Sequence, residues 1–421
     1  MHKKSKLKNG LRVVSQSFRG VQSASLGIWI NTGGRFETAQ YKGISHYLEH
    51  LLFKGSKKYS CRKIKESIEG VGGSLNGFTS EELTCYLVKI PCQYLEKALD
   101  ILSDIVIKPC LKKEDIEKER TVILEELKMY RDLPQSYVYE LLDELLWPGQ
   151  PLGTPIIGTT DSVNRISRSI LQDYQENHYT ASNIVISAAG RLDHDRLVKK
   201  ASALFSSSKA AKLNTFVPVK ENQAKPQLKI FYKDTEQTHM ALGFHSFKRD
   251  HPLKYAQWIL YIVLGANMSS RLFNEVREKR GLAYEIGAAL KKFSDTGAFL
   301  IHAGIDNSKV EDALSLIFKE LSKTRKTLLG QDEFRRAKEF LLGQLALSLE
   351  DTMEYMLWLG ESTACLGKAY TLEQVIKEVN KVSLEDVRQV ARQVFRDNAI
   401  NLALIGPLAP DRDIYDKLCL T

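Results

Sequence analysis

A long helical segment of this chain recurs. Leu111–Leu127 (LKKEDIEKERTVILEEL) aligns without a gap with Leu329–Leu345 (LGQDEFRRAKEFLLGQL), and Leu26-Gly27 is answered by Leu242-Gly243. The helical pattern Ile44–Phe53 is answered by Ala256–Leu264. A repeat spanning half of a 421-residue chain predicts two related units, each built on the same order of elements. The copies are chemically unequal. Glu126 faces Gln344 in this register, Glu119 faces Ala337, and Ala256–Leu264 holds neither His nor Glu. At these corresponding positions the first copy carries titratable groups where the second does not.

The pattern within each half alternates strands and helices. Leu11–Val14, Ala24–Asn31 and Asn183–Ala189 read as strands, as do Leu228–Tyr232, Met240–Phe244 and Ile400–Ile405. Gly70–Ile90 reads as a turn followed by two strands, with Asn76-Gly77 and Ser80-Glu81-Glu82 as punctuation. Ile44–Phe53 reads as a helix that Gly55 caps. Tyr94–Ile107, Lys113–Met129, Tyr137–Trp147, Val310–Leu321 and Asp332–Leu349 carry helical spacing. Ser206–Gln227 breaks the pattern, with three consecutive serines and two prolines. The fold class expected is α+β: two homologous αβ domains, each a mostly antiparallel sheet with helices packed on it. Their bounds are 1–210 and 228–421, joined by a linker at 211–227.

The sharpest local signal is His46-Tyr47-Leu48-Glu49-His50, an H-x-x-E-H pattern. Residues four apart share a helix face, so two imidazoles can meet one cation. Glu49 sits about 100° around the helix from His50. It can address a water at that cation without being a ligand. Neutral imidazoles suit zinc, and a catalytic zinc takes three protein ligands and keeps one open position. The third ligand must come from elsewhere, and Glu125-Glu126 on Lys113–Met129 is the best source. Glu119 and Glu126, seven apart, share a face. Spacing alone does not choose between Glu125 and Glu126.

Several further stretches accompany this pattern: GISHYLEHLLFKG (Gly43–Gly55), GGSLNGFTSEELTCY (Gly72–Tyr86), ERTVILEELKMY (Glu119–Tyr130), PLGTPIIG (Pro151–Gly158) and SSRLFNEVREKRGLAY (Ser269–Tyr284). With them the chain resembles the pitrilysin or insulinase family of inverzincin metallopeptidases. It is most similar to the processing-peptidase-like branch that includes the mitochondrial processing peptidase. The resemblance runs through both halves. It implies His46, His50 and Glu126 as ligands of one Zn2+ per chain, Glu49 as catalytic base and Glu119 as accessory glutamate. It implies Asn76 and Gly77 on a substrate-binding edge strand. Arg277 and Tyr284 are implied to reach the substrate, with Tyr284 aiding catalysis at the developing oxyanion. The two domains are implied to enclose a chamber. The non-catalytic partner subunit of the mitochondrial enzyme carries a long glycine-rich loop, whereas Val263–Ser269 here holds no such insertion. A homodimer is therefore expected.

The activity expected is zinc-dependent endopeptidase action on peptides or unfolded, presequence-like segments. The alternative is a non-catalytic scaffold subunit of a processing-peptidase-like complex. The net charge of +9 admits a polyanion-binding protein. No zinc-finger spacing, phosphate loop or basic-aromatic run supports it, so no nucleic-acid partner is expected. The chamber acids would be Glu49, Glu119, Glu125 and Glu126, which leaves the positive excess on the outer surface. Six cysteines without a CxxC pair suit a reducing compartment. The basic start Met1–Leu7 leads into no apolar run, so no signal peptide is read. Apolar stretches fall short of the roughly 18–20 residues of a membrane span. The expected location is cytoplasmic, with the mitochondrial matrix as alternative.

Overall fold

The structure, a computed structural model, describes residues 2–409 and 414–420. Its fold is α+β. Six strands form the first sheet: β1 (Lys3–Lys6), β2 (Arg12–Ser17), β3 (Ser23–Ile30), β4 (Ser74–Thr79), β5 (Thr84–Pro91) and β6 (Ile184–Gly190), in the order β1-β2-β6-β3-β5-β4. Five form the second: β7 (Gln227–Tyr232), β8 (Gln237–Ser246), β9 (Ala283–Lys292), β10 (Gly297–Asp306) and β11 (Asn401–Gly406), in the order β7-β11-β8-β10-β9.

The two sheets share one plan. In each, the opening strand of the repeat lies parallel to the closing one: β2 beside β6, and β7 beside β11. Every other pairing is antiparallel. β1 is the one strand of the first sheet without a counterpart, and its Lys-rich sequence suits an exposed edge.

The compact units interleave in sequence. The first takes residues up to Lys128, then Pro155–Val217 and Ala346–Leu372. The second takes Met129–Thr154, Pro218–Leu345 and the chain from Glu373 on. Each half of the chain thus gives one helix to the unit built mainly from the other half, a crossing absent from the sequence reading. Helix Thr352–Leu366 lays Met356, Leu359 and Ala364 against Val14, Trp29, Cys85, Val185 and Ala189 of the first sheet. Helix Pro134–Leu146 lays Val138, Leu141, Leu142 and Leu146 against Ala241, Leu300, Ala403 and Ile405 of the second. A sheet buried on both faces needs such a cover, and amphipathic periodicity does not say which sheet a helix will cover.

Gly360 lets the exchanged helix approach closely. A Cβ there would stand 2.0 Å from the Trp29 indole nitrogen, which itself donates to Ser187 Oγ at 2.7 Å. Gly360→Ala is expected to cost about 1–3 kcal/mol by overpacking. Chemical denaturation measures this, and an unchanged midpoint would mean that the helix stands off the sheet.

Two local expectations are corrected. Asn76-Gly77 does not punctuate a turn but lies within β4. The helix read to Phe53 ends at Leu52, with Phe53 as its right-handed C-cap, and Lys54 N–H closes the turn on Leu51 O. Gly55 follows that turn at φ +139° rather than capping it.

Candidate active site

The H-x-x-E-H residues lie on helix Ile44–Leu52 in the first unit. Its apolar side buries Ile44, Tyr47, Leu48, Leu51 and Leu52, which leaves His46, Glu49 and His50 toward the opposite side. The helix starts at Gly43, whose φ of +90° only glycine adopts cheaply. Ile157 O would lie 2.4 Å from a Cβ there. Two of the orphan amides of the first turn are met from outside the helix. The Glu37 carboxylate accepts from Gly43 N–H at 2.9 Å and Ser45 N–H at 2.8 Å. Ser45 Oγ lies 2.8 Å from Tyr174 OH, and that hydroxyl lies 2.9 Å from Thr32 Oγ1. On the helix's buried side, Tyr47 OH donates to Ile116 O.

Helix Lys113–Asp132 supplies the facing acids. It buries Ile116, Glu119, Ile123 and Leu127, a stripe at three- and four-residue spacing. Glu126 Oε2 lies 3.9 Å from His46 Nε2 and 3.8 Å from His50 Nε2. One donor atom from each residue falls within 4.8 Å of the others, the only such group among the described residues. Zinc bonds of about 2.0–2.2 Å in a tetrahedral arrangement hold ligand atoms about 3.3–3.6 Å apart, so small side-chain shifts would close this set on an ion. Glu125 points elsewhere. It is bonded to Lys128 at 2.7 Å with both side chains exposed, so it does not join the acids expected around the site.

The electrostatics suit ligation. Burial and the neighbouring His50 hold His46 down at about 4, so its lone pair is free at neutral pH. Its ring lies 4.6 Å from that of His50, centroid to centroid. His50 Nδ1 is 3.1 Å from Glu119 Oε2. An ionised carboxylate only accepts, so the hydrogen-bond pattern assigns the proton to Nδ1 and leaves Nε2 as the donor atom. Burial pushes Glu126 up, with His50 opposing it.

Glu49 stands beside the group. Its Oε2 accepts from Thr79 Oγ1 at 2.8 Å, and burial pushes its carboxyl above the ordinary range. Gly77 is the close neighbour: a Cβ there would lie 3.1 Å from Glu49 Oε1 and 3.0 Å from the Phe53 ring. Asn76 turns its Oδ1 back to Gly77 N–H at 2.8 Å. Both sit on β4, which pairs with β5 on one side and with no strand on the other among the described residues.

Arg277 and Tyr284 belong to the second unit. Arg277 lies in a π-helical turn, Phe273–Glu278, with its guanidinium 4.6 Å from the Phe273 ring centroid and 5.5 Å from that of Tyr284. Tyr284, near the start of edge strand β9, is 74% exposed. Three residues at the site escape a sequence reading: Glu37, Lys54 and Thr79. Lys54 carries a weak signal, being four residues after His50. Glu37 has none, because it caps the helix from outside the usual cap positions.

Comparison with known proteins follows the same lines. The family described as "Insulinase (Peptidase family M16)" matches residues 12–160, and the "Peptidase M16 inactive domain" matches residues 165–341. An uncharacterized zinc protease of Streptomyces coelicolor is 37% identical over 408 residues, covering 96% of this chain and 89% of that protein. One of Bacillus subtilis is 36% identical, covering 97% and 98%. The crystal structure of a protease from Helicobacter pylori superposes with a TM-score of 0.91 at 23% identity, over 97% of this chain and all of that one, which speaks to fold. Among the described residues no helix is long and apolar enough to cross a membrane. The chain belongs to the M16, or insulinase, family of peptidases.

Proposed function

We propose that the protein is a zinc metalloendopeptidase acting on peptides or unfolded protein segments. The observation that carries this reading is the convergence of His46, His50 and Glu126 with Glu49 beside them. A zinc ion held by these three residues supplies Lewis-acid polarisation and makes water more acidic. Glu49 takes the proton from the attacking water at its carboxylate. It passes that proton to the amide nitrogen as the carbon–nitrogen bond breaks, so the amine leaves neutral. Burial raises the proton affinity of Glu49 above that of an ordinary carboxylate, the direction that favours accepting a proton. Glu119 orients His50 through Nδ1.

The free edge of β4, with Asn76 and Gly77, can add a substrate strand through backbone hydrogen bonds, which read an extended shape more than a sequence. Arg277 holds peptide carbonyls or acids, and Tyr284 donates to the developing oxyanion. The test is metal content with activity. Purified protein should carry about one zinc per chain. Chelation should abolish cleavage of an internally quenched peptide, and added zinc should restore it. Cleavage that survives complete metal removal would overturn the proposal.

A further inference from the structure

We propose that Lys54 is a positioning residue of the metal centre, holding Glu119 so that Glu119 can hold His50. The inference rests on the ligand set proposed above and goes beyond it. Lys54 Nζ lies 2.5 Å from Glu119 Oε1, and the other carboxylate oxygen lies 3.1 Å from His50 Nδ1. Each oxygen therefore has its own donor. The torsion of a Glu carboxylate about its last bond is broad, so one contact alone leaves the group free to swing. Two donors from one chain segment fix its plane.

The backbone sets this distance. Lys54 N–H closes the end of the helix on Leu51 O at 3.0 Å. The next residues pair with the chain that leads into the helix bearing Glu119. Cys110 N–H donates to Gly55 O at 3.0 Å, and Lys57 N–H donates to Lys108 O at 2.9 Å. Ser56 and Pro109 form a β-bridge. Both ends of the Lys54–Glu119 pair thus rise from one hydrogen-bonded ribbon. Glu119 is only 6% exposed while the Lys54 side chain is 36% exposed, so the pair lies at the edge of the buried site and is partly screened by solvent. Charge supports the pairing. A divalent ion with the carboxylates of Glu49, Glu119 and Glu126 carries one surplus negative charge, and the Lys54 ammonium cancels it. Contacts behind a metal-bound histidine typically govern 10–100-fold in affinity.

A double-mutant cycle on zinc affinity tests the role. Zinc dissociation constants are measured on metal-free protein by competition with a chromophoric chelator. The set is wild type, Lys54→Met, Glu119→Gln, the double variant and Lys54→Arg. The expected result is weakening by about 10-fold in Lys54→Met. Less than about twofold further loss is expected when Lys54→Met is added to Glu119→Gln. Lys54→Arg should recover most of the affinity, since a guanidinium also pairs with a carboxylate. A structural role alone would shift the melting temperature of the metal-free protein without this coupling. Equal zinc affinity in Lys54→Met and wild type, or the same loss in both backgrounds, overturns the role of Lys54. Failure of the wild type itself to bind zinc overturns the proposed function along with it.

Discussion

Replacing Glu49 by Gln is expected to lower peptide hydrolysis by about 10²–10⁴-fold while zinc content stays at the wild-type level. The substitution is close to isosteric. A Gln carbonyl can still accept from Thr79 Oγ1, which now donates to Glu49 Oε2 at 2.8 Å. The amide is close to the carboxylate in size, and Gly77 has no Cβ to crowd it. What is lost is the capacity to take and return a proton. Zinc should remain because Glu49 is not among the three residues whose donor atoms converge. Turnover of a quenched peptide and metal analysis of the same preparation read the two effects separately. Retained activity would remove Glu49 from the chemistry, and loss of zinc would make it a ligand.

Glu37→Ala is expected to destabilise the first unit by about 3 kcal/mol or more and to weaken zinc binding with it. Glu37 lies behind the metal-binding helix, and nothing in its sequence position marks it. Its carboxylate is buried and meets two of the four orphan amides of that helix. The positive end of the helix dipole favours a negative charge there. Its counter-ion is the buried Lys42, 3.8 Å away, which also donates to Gly34 O at 2.5 Å. Burial pushes the Glu37 carboxyl up and the Lys42 ammonium down, each opposed by the attraction of the other. Burial thus penalises both charges, and such a pair is a weak source of net stability when intact. Removing one member is costly, since the other keeps its desolvation penalty and loses that partner. Denaturant unfolding of the metal-free protein measures the loss. A change below about 1 kcal/mol would mean that water replaces the carboxylate at the amides without strain.

The exchanged helices show the limit of pattern reading. Pro134–Leu146 is legible as a helix from its local apolar stripe, whereas Thr352–Leu366 is absent from the sequence reading as an element. Their destinations are not local. Each covers a sheet built mainly from the other half of the chain. Glu125 and Glu126 show the same limit on the scale of one side chain. Adjacent residues on a helix point about 100° apart, so spacing does not choose between them; the resemblance points to Glu126, and the rotation of that helix against Ile44–Leu52 is what turns it to the histidines. The buried stripe of Ile116, Glu119, Ile123 and Leu127 sets that rotation.

By itself the sequence determined what depends on spacing: the recurrence of one helical segment, the two histidines four residues apart, and the copy that carries the metal-ligand pattern. Spacing left Glu125 and Glu126 open and the family resemblance pointed to Glu126; tertiary structure alone decided which carboxylate caps the histidine helix and which ammonium backs Glu119. The reason is physical. Helical and strand periodicities act over a few residues along the chain. Ligand sets, caps and buried ion pairs join groups that only backbone pairing and core packing bring within a few ångströms.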